Sequence, residues 1–149
     1  MITIKKYNEL SSLEVYKILQ ARSEVFVVEQ KCIYQDIDSK DIDGIHCFIK
    51  NDDNNIIAYL RILGIGVSYK DASSIGRVLV TLDNRGKGYA KIIMKAAVKY
   101  LFEELHENII MISAQKYLES FYSTLGFVTK GIDYLEDDIP HIKMILKKK

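Results

Sequence analysis

Residues 83–90 of the 149-residue chain read Asp-Asn-Arg-Gly-Lys-Gly-Tyr-Ala. Two glycines one residue apart, Gly86 and Gly88, are flanked by Arg85 and Lys87 and follow an apolar run from Ile75 to Leu82. Where such a turn leads from a strand into a helix, the first helical amides have no intrahelical acceptor and the helix dipole adds partial positive charge. That is chemistry suited to an anion. Glycine lacks the β-carbon that would hold a phosphate off the backbone and tolerates the positive φ of a cradle. Arg85 and Lys87 could add charge at its rim. The same residues also suit a tight strand-to-helix turn that needs glycine for geometry alone. Two familiar phosphate loops do not fit. A Walker A loop ends in Lys followed by Ser or Thr, whereas Tyr89 follows Gly88 here and supplies no hydroxyl for magnesium in the required place. A dinucleotide fingerprint needs Gly or Ala at position 91, which is Lys.

The elements that must position this turn alternate between strand and helix signals. Ile2 and Ile4 alternate with polar residues, as a short strand does. Ser11 followed by Glu14 is a capping-box pattern, and apolar residues then recur at helical spacing through Leu13, Tyr16 and Leu19 to Phe26, predicting a helix from about Ser12. Residues 29–44 carry Glu29, Asp36, Asp38, Asp41 and Asp43 and read as a long acidic loop or a short helix with loops. Ile45 to Lys50 and Ile56 to Leu63 flank Asn-Asp-Asp-Asn-Asn, a hairpin turn composition. Ser74 to Leu82 makes a further strand, and from Ala90 the residues Ile93, Met94, Ala97, Leu101 and Leu105 mark one apolar helix face. Residues 108–113 are short, continuous and isoleucine-rich, predicting a strand buried on both faces. Lys116 to Leu125 is helical, Gly126 suits a left-handed cap, and strands follow at Phe127 and from Ile142 to Leu146, with Pro140 in a loop.

Lys plus Arg total 21 against 20 for Asp plus Glu, so no overall field favours nucleic acid or an anionic membrane, and neither partner is expected. Cys32 and Cys47 form no metal-ligand pattern, no metal is expected, and both read as free thiols. No apolar run approaches membrane-spanning length, and residues 1–7 lack a signal-peptide core, so a soluble cytoplasmic protein with a single domain over 1–149 is expected.

The run Arg85-Gly86-Lys87-Gly88-Tyr89-Ala90 resembles the Arg/Gln-x-x-Gly-x-Gly/Ala signature of the GNAT superfamily of N-acetyltransferases. Further similarity comes from residues 25–38 (VFVVEQKCIYQDID), 75–80 (IGRVLV), 114–127 (AQKYLESFYSTLGF) and 136–144 (EDDIPHIKM), which together look like its ElaA-type subfamily. Many relatives carry proline three residues before the arginine, where this chain has Leu82. The resemblance implies an α/β (α+β) fold with a mixed, twisted sheet of about seven strands flanked by helices and splayed between strands 4 and 5. It also implies acetyl-coenzyme A (acetyl-CoA) as cosubstrate. Its diphosphate would be held by the amides of Arg85, Gly86, Lys87, Gly88, Tyr89 and Ala90, and its pantetheine arm by the backbone of Val78 and Val80. Gln115 falls where many relatives have an asparagine against that arm.

The implied reaction is direct attack of a primary amine, on a small molecule or a protein, at the thioester carbonyl. By analogy the amide of Leu79 or Val80 stabilises the oxyanion, and Tyr122 acts as general acid at the departing thiolate. Tyr122 also suits a core position on an amphipathic helix. Glu29 and His46 are candidate bases, directly or through water, because both adjoin elements expected to border the acceptor cleft, and His141 has similar standing. Alternatively, Glu29 pairs with an arginine and His46 is a satisfied strand residue. Arg61 and Arg77, inside strands, are expected to pair with Glu29, Asp36 or Asp38. The acidic loop and the cluster Glu136, Asp137, Asp138 could draw in a cationic acceptor, and strand edges near the C-terminus would suit a homodimer. The alternative function is a non-catalytic module that senses acyl-CoA; a nucleotide switch is disfavoured by the missing Walker hydroxyl.

Overall fold

The computed structural model describes all residues from Met1 to Lys149. Seven strands form one sheet: β1 (Ile2–Lys6), β2 (Ile45–Lys50), β3 (Ile56–Leu63), β4 (Ser73–Val80), β5 (Ile109–Gln115), β6 (Val128–Glu136) and β7 (Ile139–Lys147). Their order across the sheet is β1-β2-β3-β4-β5-β7-β6. Only β4 and β5 pair in parallel; every other neighbour is antiparallel. This is the mixed seven-stranded sheet that the family resemblance implied.

Three helices cover it. Helix α1 (Ser12–Arg22) begins at Ser11, whose hydroxyl accepts from the Glu14 amide while the Glu14 carboxylate accepts from the Ser11 amide. Beyond Arg22 the coil widens into five-residue turns over Ser23–Glu29, which carry Val25 and Phe26 into the core. Helix α2 (Tyr89–Lys99) connects β4 to β5 and likewise widens over Tyr100–Glu104. That extra residue per turn shifts the helical phase, so Leu101 is buried but Leu105, expected on the same apolar face, turns outward. The short α3 (Glu119–Thr124) ends at Gly126, whose φ of +95° supplies the left-handed cap.

The core has two layers because strand residues alternate faces. On one face Cys47, Leu60, Ile75, Ile110 and Ile112 pack against Ile93, Met94 and Ala97 of α2 and against Tyr122 of α3. On the other, Phe48, Tyr59 and Leu79 pack against Ile18, Ala21, Val25 and Phe26 of the α1 segment. Burial pushes the thiol of Cys47 up to about 12, so it stays an inert hydrophobe.

Two further local expectations are corrected. Strand β5 buries Ile110, Ile112 and Ala114, while Ile109, Met111 and Ser113 remain half exposed. Helix α1 stops short of this half of the sheet, so only the α2 face of β5 is covered. Pro140 lies inside β7, opposite Leu135, rather than in a loop. Glu136 and Ile139 close the two-residue turn Asp137-Asp138, both at positive φ, so the alternation of the ladder aims the Pro140 nitrogen away from β6. Pairing with β5 has ended by then, at Gln115↔His141, and no donor is missed.

Candidate active site

Parallel pairing between β4 and β5 is confined to Ser73↔Ile110 and Ser74↔Met111. Just past it, the β3/β4 register shifts between Tyr59 and Arg61, and Arg77 takes a φ of +52°. An inserted residue bends its strand and steepens the twist, which carries the end of β4 away from β5. The gap opens into a cavity of about 530 Å³ whose lining includes Val78 of β4, Gln115 of β5, Tyr122 of α3 and His141 of β7.

A block of three arginines and three aspartates borders the cavity: Asp38, Arg61 and Arg77 lie in its lining, and Arg22, Asp36 and Asp41 stand behind them. Arg22 donates to Asp36 Oδ2 at 3.0 Å and to Asp41 Oδ1 at 2.5 Å, and its side chain is wholly buried. Arg61 forks onto Asp38 at 2.7 and 2.9 Å and reaches Asp41 at 2.9 Å. Arg77 contacts Asp36 Oδ1 at 2.8 Å and Asp38 Oδ2 at 3.3 Å, which fixes the bulge to the acidic loop. Burial works against the Asp38 charge, but Arg61 outweighs it and holds this carboxyl down at about 2. Arg61 and Arg77 thus pair with aspartates of the acidic loop as expected, and those carboxylates are not free to recruit a cation. Arg22 and Asp41 were missed. The signal was the placement of a charge at 22 on the stripe Ile18, Arg22, Phe26: a charge on an apolar stripe needs a buried counter-charge.

At the glycine turn, Gly86 and Gly88 adopt φ of +78° and +85°, and a β-carbon at either would project into open space. The first α2 bond runs from the Ile92 amide to the Gly88 carbonyl at 3.1 Å, so the amides from Gly86 to Lys91 find no backbone acceptor. The Arg85 amide is engaged with Leu82 O at 3.4 Å, and its side chain is occupied too. Its Nε donates to Val80 O at 2.8 Å, and its Nη1 meets Glu29 Oε2 at 2.7 Å. Lys87 is exposed and Tyr89 and Ala90 are half-buried at the helix start.

The β4 ladder separates Leu79 from Val80. The Thr81 amide donates to Ile57 O at 3.0 Å, and the register continues Ala58↔Val80 and Tyr59↔Leu79. Bonded and non-bonded pairs alternate, so Leu79 exchanges its bonds with β3 while the N–H of Val80 turns toward the gap. Tyr122 is only 6% exposed, packs edge-on against Phe121 and Phe127, and lines the cavity. No protein group bonds its hydroxyl, and burial raises its pKa to about 12.

Val78, Gln115, Tyr122 and His141 share one cavity, whereas Glu29 and His46 stand outside its lining. The Nε2 of His46 lies 2.9 Å from Asp41 O and its Nδ1 2.8 Å from the Tyr59 hydroxyl, so both ring nitrogens are engaged. Burial lowers its pKa, with Asp41 opposing.

The family profile described as "Acetyltransferase (GNAT) domain" matches residues 5–148. A UPF0039 protein of Schizosaccharomyces pombe is 35% identical over 144 residues, covering 96% of this chain and 94% of that one. Among solved structures, an acyl-CoA N-acyltransferase from Pseudomonas aeruginosa superposes with a TM-score of 0.90 at 39% identity, covering 97% of each chain. Escherichia coli ElaA superposes with a TM-score of 0.89 at 34% identity, again over 97% of both chains.

Proposed function

This chain belongs to the GNAT acetyltransferase family, in its ElaA-like branch, and from that premise we propose that it transfers an acetyl group from acetyl-CoA to a primary amine of a small molecule or a protein. One observation carries the reading: a run of unpaired amides at the glycine turn stands at the far end of a strand gap that opens into a polar cavity. In this reading the amides of Gly86 to Lys91 hold the diphosphate. The backbone of Val78 and the side chain of Gln115 flank the pantetheine arm in the gap. Acetyl-CoA supplies the activated acyl thioester. The acceptor approaches from the opposite face of the sheet, through the cavity.

Val80 rather than Leu79 then offers its N–H to the developing oxyanion, since the Leu79 amide is committed to β3. Loss of one such donor costs about 3–4 kcal/mol of barrier. Tyr122 donates a hydrogen bond to the departing sulfur. With its pKa near 12 against ~8.5 for a thiol, full proton transfer to a relaxed thiolate would be uphill by about 5 kcal/mol. Its contribution is therefore a bond that strengthens as charge builds on sulfur. The Arg85–Glu29 pair supports a structural role for Glu29, steadying the turn from outside the cavity. Deprotonating an alkylammonium of pKa ~10.4 near pH 7.4 costs about 4 kcal/mol, so the site also needs a proton acceptor.

The test is release of free thiol from acetyl-CoA across a panel of primary amines, with product mass confirming acetylation. Tight coenzyme binding without turnover on any amine would sink the catalytic reading in favour of an acyl-CoA sensor.

A further inference from the structure

His141 sits on β7 directly opposite Gln115 of β5, is 7% exposed, and lines the same cavity as Tyr122 and Val78. Its Nδ1 lies 2.6 Å from the carbonyl oxygen of Ile139. A carbonyl can only accept, so the neutral ring carries its proton on Nδ1 and keeps a lone pair on Nε2. The neighbour of Nε2 is Glu136 Oε2 at 3.4 Å, another acceptor, which cannot satisfy that lone pair. The ring is held in place by Tyr134, stacked at 6.2 Å between centroids, whose hydroxyl bonds to Ser113 Oγ. Ser113 also donates to Glu136 Oε1 at 3.4 Å. Asp137, on the adjoining turn, adds a second carboxylate to the cavity wall. A lone pair and a carboxylate oxygen side by side form a receptor for an ammonium, which can donate one hydrogen to each.

We propose that the acceptor is a primary alkylammonium bound between His141 Nε2 and Glu136, and that His141 is the general base that deprotonates it. This assignment rests on the acetyl-transfer reading of the same cavity. One N–H bond of the ammonium breaks, its electron pair stays on nitrogen, and the proton moves to Nε2. The imidazolium so formed pairs with Glu136. The amine pair forms the C–N bond at the acyl carbon, the C–S bond breaks, and a second proton from nitrogen passes to the departing sulfur. His141 then returns its proton to solvent. Neither other candidate offers this chemistry: both nitrogens of His46 are engaged, and Glu29 is tied to Arg85.

Ethanolamine, agmatine, lysine and spermidine serve as acceptor probes, with thiol release as the signal. His141→Gln is expected to lower kcat at least about 100-fold while the KM for acetyl-CoA changes less than about twofold. Exogenous imidazole should restore part of the rate to His141→Gly, which a packing role would not allow. Glu136→Gln should raise the KM for the amine about tenfold. Unchanged kcat in His141→Gln beside an active wild type overturns the base and leaves acyl transfer standing. A wild type that binds acetyl-CoA yet is inactive with every probe and with a lysine-bearing peptide sinks acyl transfer instead. Nitrogen-15 NMR of the wild-type ring then decides the ammonium site: a bare Nε2 whose resonance moves on adding ethanolamine upholds it, and a protonated Nε2 or an unmoved signal refutes it.

Discussion

At the scale of single residues, Tyr122 and Glu29 illustrate how environment decides role. The Tyr122 side chain is buried while its hydroxyl stands unpartnered at the cavity, so Tyr122→Phe removes one donor and almost no volume. It should lower kcat at least tenfold while coenzyme A affinity, read by calorimetry, stays near wild type; an unchanged kcat would remove Tyr122 from the mechanism. Glu29 holds Arg85 at 2.7 Å with both side chains partly exposed, an arrangement in which an ion pair contributes little. Glu29→Gln should therefore leave kcat within about threefold of wild type. A hundredfold loss would restore Glu29 as the base.

At the scale of elements, the β4–α2 junction depends on backbone conformation. Gly88 occupies the left-handed region immediately before the first helical residue. A side chain there costs about 1–2 kcal/mol in backbone strain and places a β-carbon in the open space beside the unpaired amides. Gly88→Ala should weaken coenzyme A binding at least tenfold while lowering Tm by only about 2–8 °C. Equal affinities for wild type and variant would mean the glycine serves the turn alone. The bulge at Arg77 is the second device: it parts β4 from β5, and its guanidinium is anchored by Asp36 and Asp38 from a loop distant in sequence.

Across the whole molecule, the arginine–aspartate block joins α1, the acidic loop, β3 and β4. Arg22→Met would leave Asp36 and Asp41 buried without one of their partners and should destabilise the protein by about 3–5 kcal/mol in urea denaturation. Adding Asp41→Leu should recover part of that loss, because the stranded charge goes with it. The block also sets the response to acid. Asp38 is held at about 2 in the folded state against an ordinary ~3.9, so its stabilisation is present above pH ~4 and disappears as pH falls toward ~2. Asp41 shifts in the same direction, burial opposing and Arg22 and Arg61 prevailing. Urea midpoints should fall across that window, and less steeply in Asp38→Asn. No helix is long and apolar enough to cross a membrane.

The local order of the chain was legible because periodicity, caps and turn residues act within a few positions. Ser11 with Glu14 marked the start of α1, Gly86 and Gly88 marked a turn at the α2 start, and Gly126 marked the end of α3. The family signature added the expectation of a parted sheet. The sequence could not say that Arg22 is buried, that His46 has both nitrogens bonded, or that Glu29 faces Arg85 from outside the cavity. Nor could it say that His141 sets one ring nitrogen against the Ile139 carbonyl and the other 3.4 Å from Glu136. Those outcomes depend on which groups meet across strands and loops far apart in the chain. A titratable side chain takes its protonation state and its job from such neighbours, and folding alone brings them within hydrogen-bonding distance.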